Sequence, residues 1–239
     1  MRIKCVLLVL VLIFQLCSAC VCAVLAEEAT IDFSQYIDSN GVLTVPETIN
    51  GVAVTTIPSK AFYKNEAVKK VVLPKSVTVI ESYAFYKCIN LTEVEFSDNI
   101  TTIGIKAIYY CTALEKLKMP LNLQSVSEFS FMNCTGLKEV VFANNVKSIG
   151  FAAFSNCKSL NALFFGESLE NMASSVFAGC ESLVTVEIPK NLIRINEDTF
   201  ASCANLTKVI LRGEITTVSS KAFRNSPKAY TVFESVPNN

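Results

Sequence analysis

The sequence predicts an α/β-type solenoid of about eight 23-residue coils, each giving one strand to a parallel β-sheet and one short helical or 3₁₀ turn. Three observations carry this expectation. Phe62, Phe85, Phe131, Phe154, Phe177, Phe200 and Phe223 fall on one lattice of 23 residues, with Ile108 in the one place where phenylalanine is missing. Six positions later the same lattice carries Val68, Leu91, Leu114, Leu137, Leu160, Leu183, Leu206 and Ala229. Two further columns stand two residues apart, as in Val94 with Phe96 or Val186 with Ile188, which places both side chains on one face of a strand. A unit this short cannot bury its own apolar face, so the coils must stack.

Taken in chain order, residues 1–26 read as a secretory signal peptide. Arg2 and Lys4 precede the apolar run from Cys5 to Phe14, and Val24-Leu25-Ala26 offers small residues before Glu27. An uncleaved membrane anchor and lipid attachment at Cys20 stay open as alternatives. Residues 27–50 read as an N-terminal cap, with Asn40-Gly41 as a hairpin turn between Phe33 to Ile37 and Val42 to Val45. The solenoid follows over residues 51–234. Within a coil, Ala61-Phe62-x-x-Asn65 and its equivalents predict the tight turn, and the two inward columns predict the strand. Pro74, Pro120 and Pro189 close that strand because they lack a backbone donor. Pairs such as Val77 with Ile80, Ile100 with Ile103 and Leu192 with Ile195 belong to the return limb. Ser226, Pro227 and Glu234 replace lattice residues in a terminal coil, and residues 235–239 form a tail. With no sortase-like motif or apolar C-terminal stretch in view, a cleaved chain is expected to be released.

Charge and composition narrow the function. Lysine plus arginine and aspartate plus glutamate number 21 each; cleavage after Ala26 removes Arg2 and Lys4, leaving 19 against 21, a net charge of −2. No strong field invites nucleic acid or an acidic membrane surface. The chain has no histidine, and neither a Gly-x-Ser-x-Gly elbow nor a glycine-rich phosphate loop occurs, so no enzymatic activity and no cofactor are expected.

Of the ten cysteines, Cys5, Cys17, Cys20 and Cys22 lie in the leader, and the other six occupy one lattice column three residues after the aromatic. Adjacent coils bring their α-carbons into disulfide range, but side chains stacked in one direction seldom meet the required dihedral. Buried free thiols that interact weakly with neighbouring carbonyls are therefore expected. Without histidine or a Cys-x-x-Cys pair beyond the leader, a metal site is not expected. Asn-x-Ser/Thr triplets begin at Asn90, Asn99, Asn133 and Asn205; they are glycan acceptors in a eukaryotic secretory route, or plain products of the repeat.

The segments Leu91-x-x-Val94-x-Phe96-x-x-Asn99, Leu114-x-x-Leu117-x-Met119-x-x-Asn122 and Leu183-x-x-Val186-x-Ile188-x-x-Asn191 resemble leucine-rich repeats. The 23-residue period, the Ala-Phe pair and Cys-x-x-Leu-x-x-Val-x-Ile-Pro are similar to the BspA-like subclass of bacterial and protozoan surface proteins. The chain departs from the commoner repeat in lacking a leucine two residues after each asparagine and in having no long convex helix, departures that fit the subclass. The resemblance implies a secreted or cell-surface protein, with some members resembling adhesins that contact host matrix proteins or other microbes.

Between the inward strand positions lie two outward columns. Their first half alternates Lys and Glu, as in Lys70, Glu93, Lys116 and Glu139, which keeps a sheet soluble. Further on, Val141, Ala162, Phe164 and Ile210 are expected to form an exposed apolar strip rimmed by Glu139, Glu187 and Lys208, with Phe164 as anchor for a protein partner. Tolerant surface positions with high β-propensity, or cover from a neighbouring copy, explain the same pattern equally well. The expected function is adhesin-like recognition of host or neighbouring-cell protein through this face, the alternative being a structural component that stacks with itself or other repeat proteins. Membrane contact is expected only through a retained leader or lipid.

Overall fold

The computed structural model describes residues 32–232. The expected leader, its four cysteines, the start of the cap, Phe233, Glu234 and the tail lie outside the described residues.

Each coil contributes two short strands and one tight turn. The first row contains Lys70–Val72, Glu93–Glu95, Lys116–Lys118, Glu139–Val141, Ala162–Phe164, Thr185–Ile188 and Lys208–Leu211, seven strands on the 23-residue lattice. The second row runs from Thr56–Ile57 to Thr217–Val218, each strand 23 residues after the last. The chain thus winds through about seven turns of a parallel β-solenoid. All ladder pairs in both rows are parallel and in lattice register up to Lys208–Leu211.

Almost no helix is present, so the α/β label does not carry over. Among the described residues the one helix is the 3₁₀ segment Phe33–Tyr36, which stands where a cap strand was expected. The segments around the lattice phenylalanines are turns, and the backbone explains why. The residue two before the aromatic position has positive φ at Lys60, Tyr83, Lys106, Phe129, Ala152, Ser175 and Asp198. The residue two after has it at Lys64, Lys87, Tyr110, Asn133, Asn156, Gly179, Ser202 and Asn225. A left-handed residue every fourth position stops any run of helical dihedrals. The amides alternate instead: Tyr86 and Cys88 donate within their own turn, to Tyr83 and Phe85, while Phe85 and Lys87 donate to Ala107 and Tyr109 of the next coil at 2.7 and 2.8 Å. Hydrogen bonds that a helix would keep to itself are spent on stacking. Only Gly179 meets the left-handed requirement without a Cβ. Exchanging its equivalent Ser202 (φ 56°) for glycine is expected to raise stability by about 0.5–1 kcal/mol, read as the shift in urea midpoint.

The core is the set of expected columns. The lattice phenylalanines from Phe62 to Phe200 are buried, as are the leucines from Leu91 to Leu206 and the return-limb pairs. Phe131, Phe154, Phe177, Phe200 and Phe223 form one near-parallel stack with centroids 5.1 to 5.7 Å apart. Ile108 separates it from the Phe62–Phe85 pair.

Both ends depart from the lattice. Val42–Thr44 pairs in parallel with Lys70–Val72, so Leu43 and Val71 are 28 residues apart (71 minus 43). The excess over one coil is taken up by an antiparallel hairpin, Thr48–Ile49 with Val52–Ala53, turning on Asn50 and Gly51, both left-handed. Asn40-Gly41 does turn the chain, with Gly41 left-handed and the Asp38 carboxylate accepting from the Asn40 and Val42 amides, and Ile37 bridges Leu43. At the other end Tyr230–Val232 pairs one residue out of step, Lys208 with Tyr230 and Ile210 with Val232, an interval of 22. The lattice assignment of Thr231 and Val232 is thereby shifted by one residue.

Candidate protein-binding face

The outward side of the first row is set by the same alternation that buries Val94, Leu117, Val140 and Leu163. In its first half Lys70 reaches both Glu93 and Glu95 on the next strand, and Lys138 reaches Glu115 at 2.9 Å just before their strands begin. Glu95 and then Glu93, hydrogen-bonded to the Lys70 ammonium, hold it above its ordinary range. Exposed pairs of this kind contribute little stability.

Beyond Glu139 the chemistry changes. Val141 and Ala162 are half-buried, and Phe164, the ladder partner of Val141, is 56% exposed. Glu187 is exposed and receives the Arg212 guanidinium, Nε at 3.1 Å and Nη2 at 2.8 Å. Ile210 corrects the expected strip, being only 6% exposed. It lies in register between Glu187 and Val232, and Arg212, two residues on along the same face, closes onto Glu187 beside it. Val141, Ala162, Phe164 and Glu187 remain as outward residues of the row; Ile210, the ladder partner of Glu187, is buried beside them.

The ladder of this row is interrupted twice, after Glu93–Glu95 and after Ala162–Phe164. At both breaks a coil whose strand ends in phenylalanine, Phe96 or Phe165, faces a coil ending in Met119-Pro120 or Ile188-Pro189. Each break opens a groove. The first, about 380 Å³, combines the charged groups Glu93, Glu95, Asp98, Lys116 and Lys118 with Phe96 and Met119. The second, about 480 Å³, is lined by Asn161, Ala162, Phe164, Glu167, Thr185, Glu187 and Arg212, so it joins an open aromatic ring to hydrogen-bonding groups. Sequence reasoning missed Asn161 and Arg212. Arg212 was legible as an anomaly, because its lattice position is Pro74, Pro120 and Pro189 in other coils.

The cysteine column has a structural role. The six described cysteines are free and buried. Each thiol donates to the carbonyl 26 residues back, from Cys88 to Phe62 at 3.0 Å through Cys203 to Phe177 at 3.3 Å. Burial pushes Cys88, Cys134 and Cys203 up to about 12 and raises Cys111, Cys157 and Cys180 strongly. Thiols held protonated in this way are poor nucleophiles. The triplet asparagines are also engaged. Asn90, Asn99 and Asn205 donate Nδ2 to carbonyls 24 residues back at 2.8 to 2.9 Å, and Asn133 donates to the Tyr109 hydroxyl.

Comparison with known proteins places this geometry. A family model described as BspA type leucine rich repeat region matches residues 55–150 and 127–236, with six copies. Among solved structures, a leucine-rich cell surface protein of Faecalibacterium prausnitzii is 26% identical, with a TM-score of 0.51, over 80% of this chain and 58% of its own. A leucine-rich repeat protein of Eubacterium ventriosum is also 26% identical, with a TM-score of 0.58, over 83% of this chain and 48% of its own. The leucine-rich repeat protein of Treponema pallidum (T. pallidum), 24% identical with a TM-score of 0.53 over 75% of this chain and 73% of its own, shares the fold. The chain therefore spans about half the length of the first two. No curated protein matches it in sequence.

Proposed function

The chain belongs to the family of BspA-type leucine-rich repeat proteins, and on that premise we propose that it is a secreted or cell-surface module that binds protein. Its role is adhesin-like: a non-catalytic scaffold offers the open face of the repeat sheet to a host or neighbouring-cell protein. The observation that carries the reading is Phe164, 56% exposed at the lip of the groove where the strand ladder breaks. An exposed ring in a cleft with polar walls has the composition of an interface anchor. Val141, Ala162 and Glu187 complete the contact surface, and Ile210, paired in the ladder with Glu187, borders it as a buried residue. A relative named as a cell surface protein is consistent with this placement.

The test is binding of the purified chain to a panel of immobilised extracellular-matrix proteins, with the double substitution Phe164→Glu and Val141→Glu beside it. Affinity for the bound partner is expected to drop about a hundredfold, the scale of a lost anchor. Equal affinity of the two proteins would dismiss this face as the site. Concentration-dependent self-association, abolished by the same substitutions, would instead assign the face to assembly.

A further inference from the structure

The turn side of the solenoid carries a feature that the sheet face does not use. Tyr63, Tyr86 and Tyr109 each follow a lattice position by one residue and stack with centroids 4.9 and 5.0 Å apart and planes 5° apart. Tyr83 tilts against Tyr86 and Tyr110 lies beside Tyr109. Lysines interleave with the rings. The Lys64 ammonium lies 5.3 Å from the Tyr63 centroid, Lys87 lies 5.2 Å from Tyr110, and Lys106 lies 5.1 Å from Phe129. Among the described residues Lys64, Lys87 and Lys106 form no ion pair. In the last coils the cations are neutralised: Lys221, in the column of Lys106, pairs with Glu197, and Arg224, in the tyrosine column itself, pairs with Asp198, each at 2.8 Å. Of the nearby carboxylates, Glu81 already accepts the Ser59 amide, and Glu128 is exposed beside Phe129.

Stacking determines which chemistry is left for a ligand. Rings turned face to face show solvent their edges and hydroxyls, and the edge is the positive rim of the ring quadrupole. The faces on which a neutral sugar or a nucleic acid base would stack are already covered inside the row. What points outward is a series of phenols flanked by unneutralised ammonium groups, repeated about every 4.8 Å with the coils. Desolvation by its neighbours raises the Tyr86 hydroxyl, which keeps it a donor.

We propose that this face binds a sulfated polysaccharide. A phenol beside an ammonium at successive rungs calls for a ligand that sets a hydroxyl beside an anion at successive units. A sulfated sugar supplies both on each ring, whereas an acidic peptide supplies the carboxylate alone. Sulfate esters also offer more terminal acceptor oxygens than a carboxylate does, enough for lysine and phenol together.

Binding to immobilised heparin is the direct test, with polygalacturonate and poly-glutamate as carboxylate controls. Heparin is expected to hold the protein in a salt-sensitive way and more tightly than either control. Replacing Lys64, Lys87 and Lys106 with glutamine weakens it about tenfold, the loss of three exposed ionic contacts, while arginine at the same positions retains it. Tyr86→Phe keeps the ring and weakens binding through the hydroxyl, and Phe164→Glu, on the sheet face, leaves heparin binding unchanged. Absence of heparin binding, equal retention of the glutamine variant, or equal retention on poly-glutamate each overturns the assignment.

Discussion

Between pH 7.5 and pH 10 the protein is expected to lose on the order of 4 kcal/mol of stability through Cys88, Cys134 and Cys203, with Cys111, Cys157 and Cys180 adding to the loss in the same direction. In the unfolded chain these thiols titrate near their ordinary value of 9.0; in the fold Cys88, Cys134 and Cys203 are pushed up to about 12, and Cys111, Cys157 and Cys180 are raised strongly as well. Above pH 9 the unfolded state therefore binds fewer protons than the folded one, and stability falls as pH rises. It is fully present below pH 9. One unit above the unfolded value each of Cys88, Cys134 and Cys203 has given up between about 1 and 2 kcal/mol, and the other three thiols act in the same direction. The check is urea denaturation at several pH values for the native chain and for a variant with all six cysteines changed to serine. Serine suits the column, since Ser226 already stands in it and donates to the Phe200 carbonyl at 2.7 Å. Tyrosine and lysine titration cancels between the two proteins. If both lose the same stability from pH 8 to pH 10, the thiols are not the cause.

Phe154→Ala is expected to cost about 3–5 kcal/mol. Phe154 is fully buried, stacks between Phe131 at 5.1 Å and Phe177 at 5.6 Å, and meets the edge of Phe142 at 5.5 Å. Its loss opens a cavity in a middle coil. In a structure stabilised only by neighbour contacts, such a gap also weakens coupling between the coils on either side. The urea transition should then broaden as well as shift to lower concentration. Phe223→Ala, at the end of the stack and partly exposed, serves as the comparison and is expected to cost clearly less. Equal costs at the two positions would show that the stack does not act as a continuous core.

The parts of the fold that sequence reasoning recovered are those with one physical cause. Phenylalanine, leucine and paired strand columns recur because stacked coils bury equivalent positions, so periodicity alone identifies the interior. The turn conformation had no such signal. Left-handed residues are usually announced by glycine or asparagine; Asn133, Asn156, Gly179 and Asn225 fit that rule, but Lys64, Tyr83, Lys106 and Phe129 do not, and there hydrogen bonds between coils override local preference. The hairpin at Asn50-Gly51, where the first coil gains its extra length, was missed: the expected hairpin turn was Asn40-Gly41, and residue 50 was read as the end of the cap, although Asn-Gly is a dipeptide that marks such turns. On the binding face the alternation of charge was legible, and so were Phe164 and Val141 as outward residues. The breaks in the ladder were not, since they depend on how neighbouring coils meet. Burial of Ile210 was not legible either: next to it the pattern is irregular, with a one-residue slip of the last strand and Arg212 in a proline position. The tyrosine row lay in plain view at 23-residue intervals, outside the strand columns.

The thiols, the asparagine amides of Asn90, Asn99, Asn145, Asn191 and Asn205, and the hydroxyls of Thr92, Thr101, Thr207 and Thr216 all address backbone carbonyls of the coil immediately before their own. Cross-section and length are consequently independent quantities. Excision of residues 131–153 would hand Cys157 the Ile108 carbonyl that now serves Cys134, and every other such bond would find an equivalent acceptor. Evolution or an engineer can shorten or lengthen the rod by whole units, provided that the irregular first and last turns are kept.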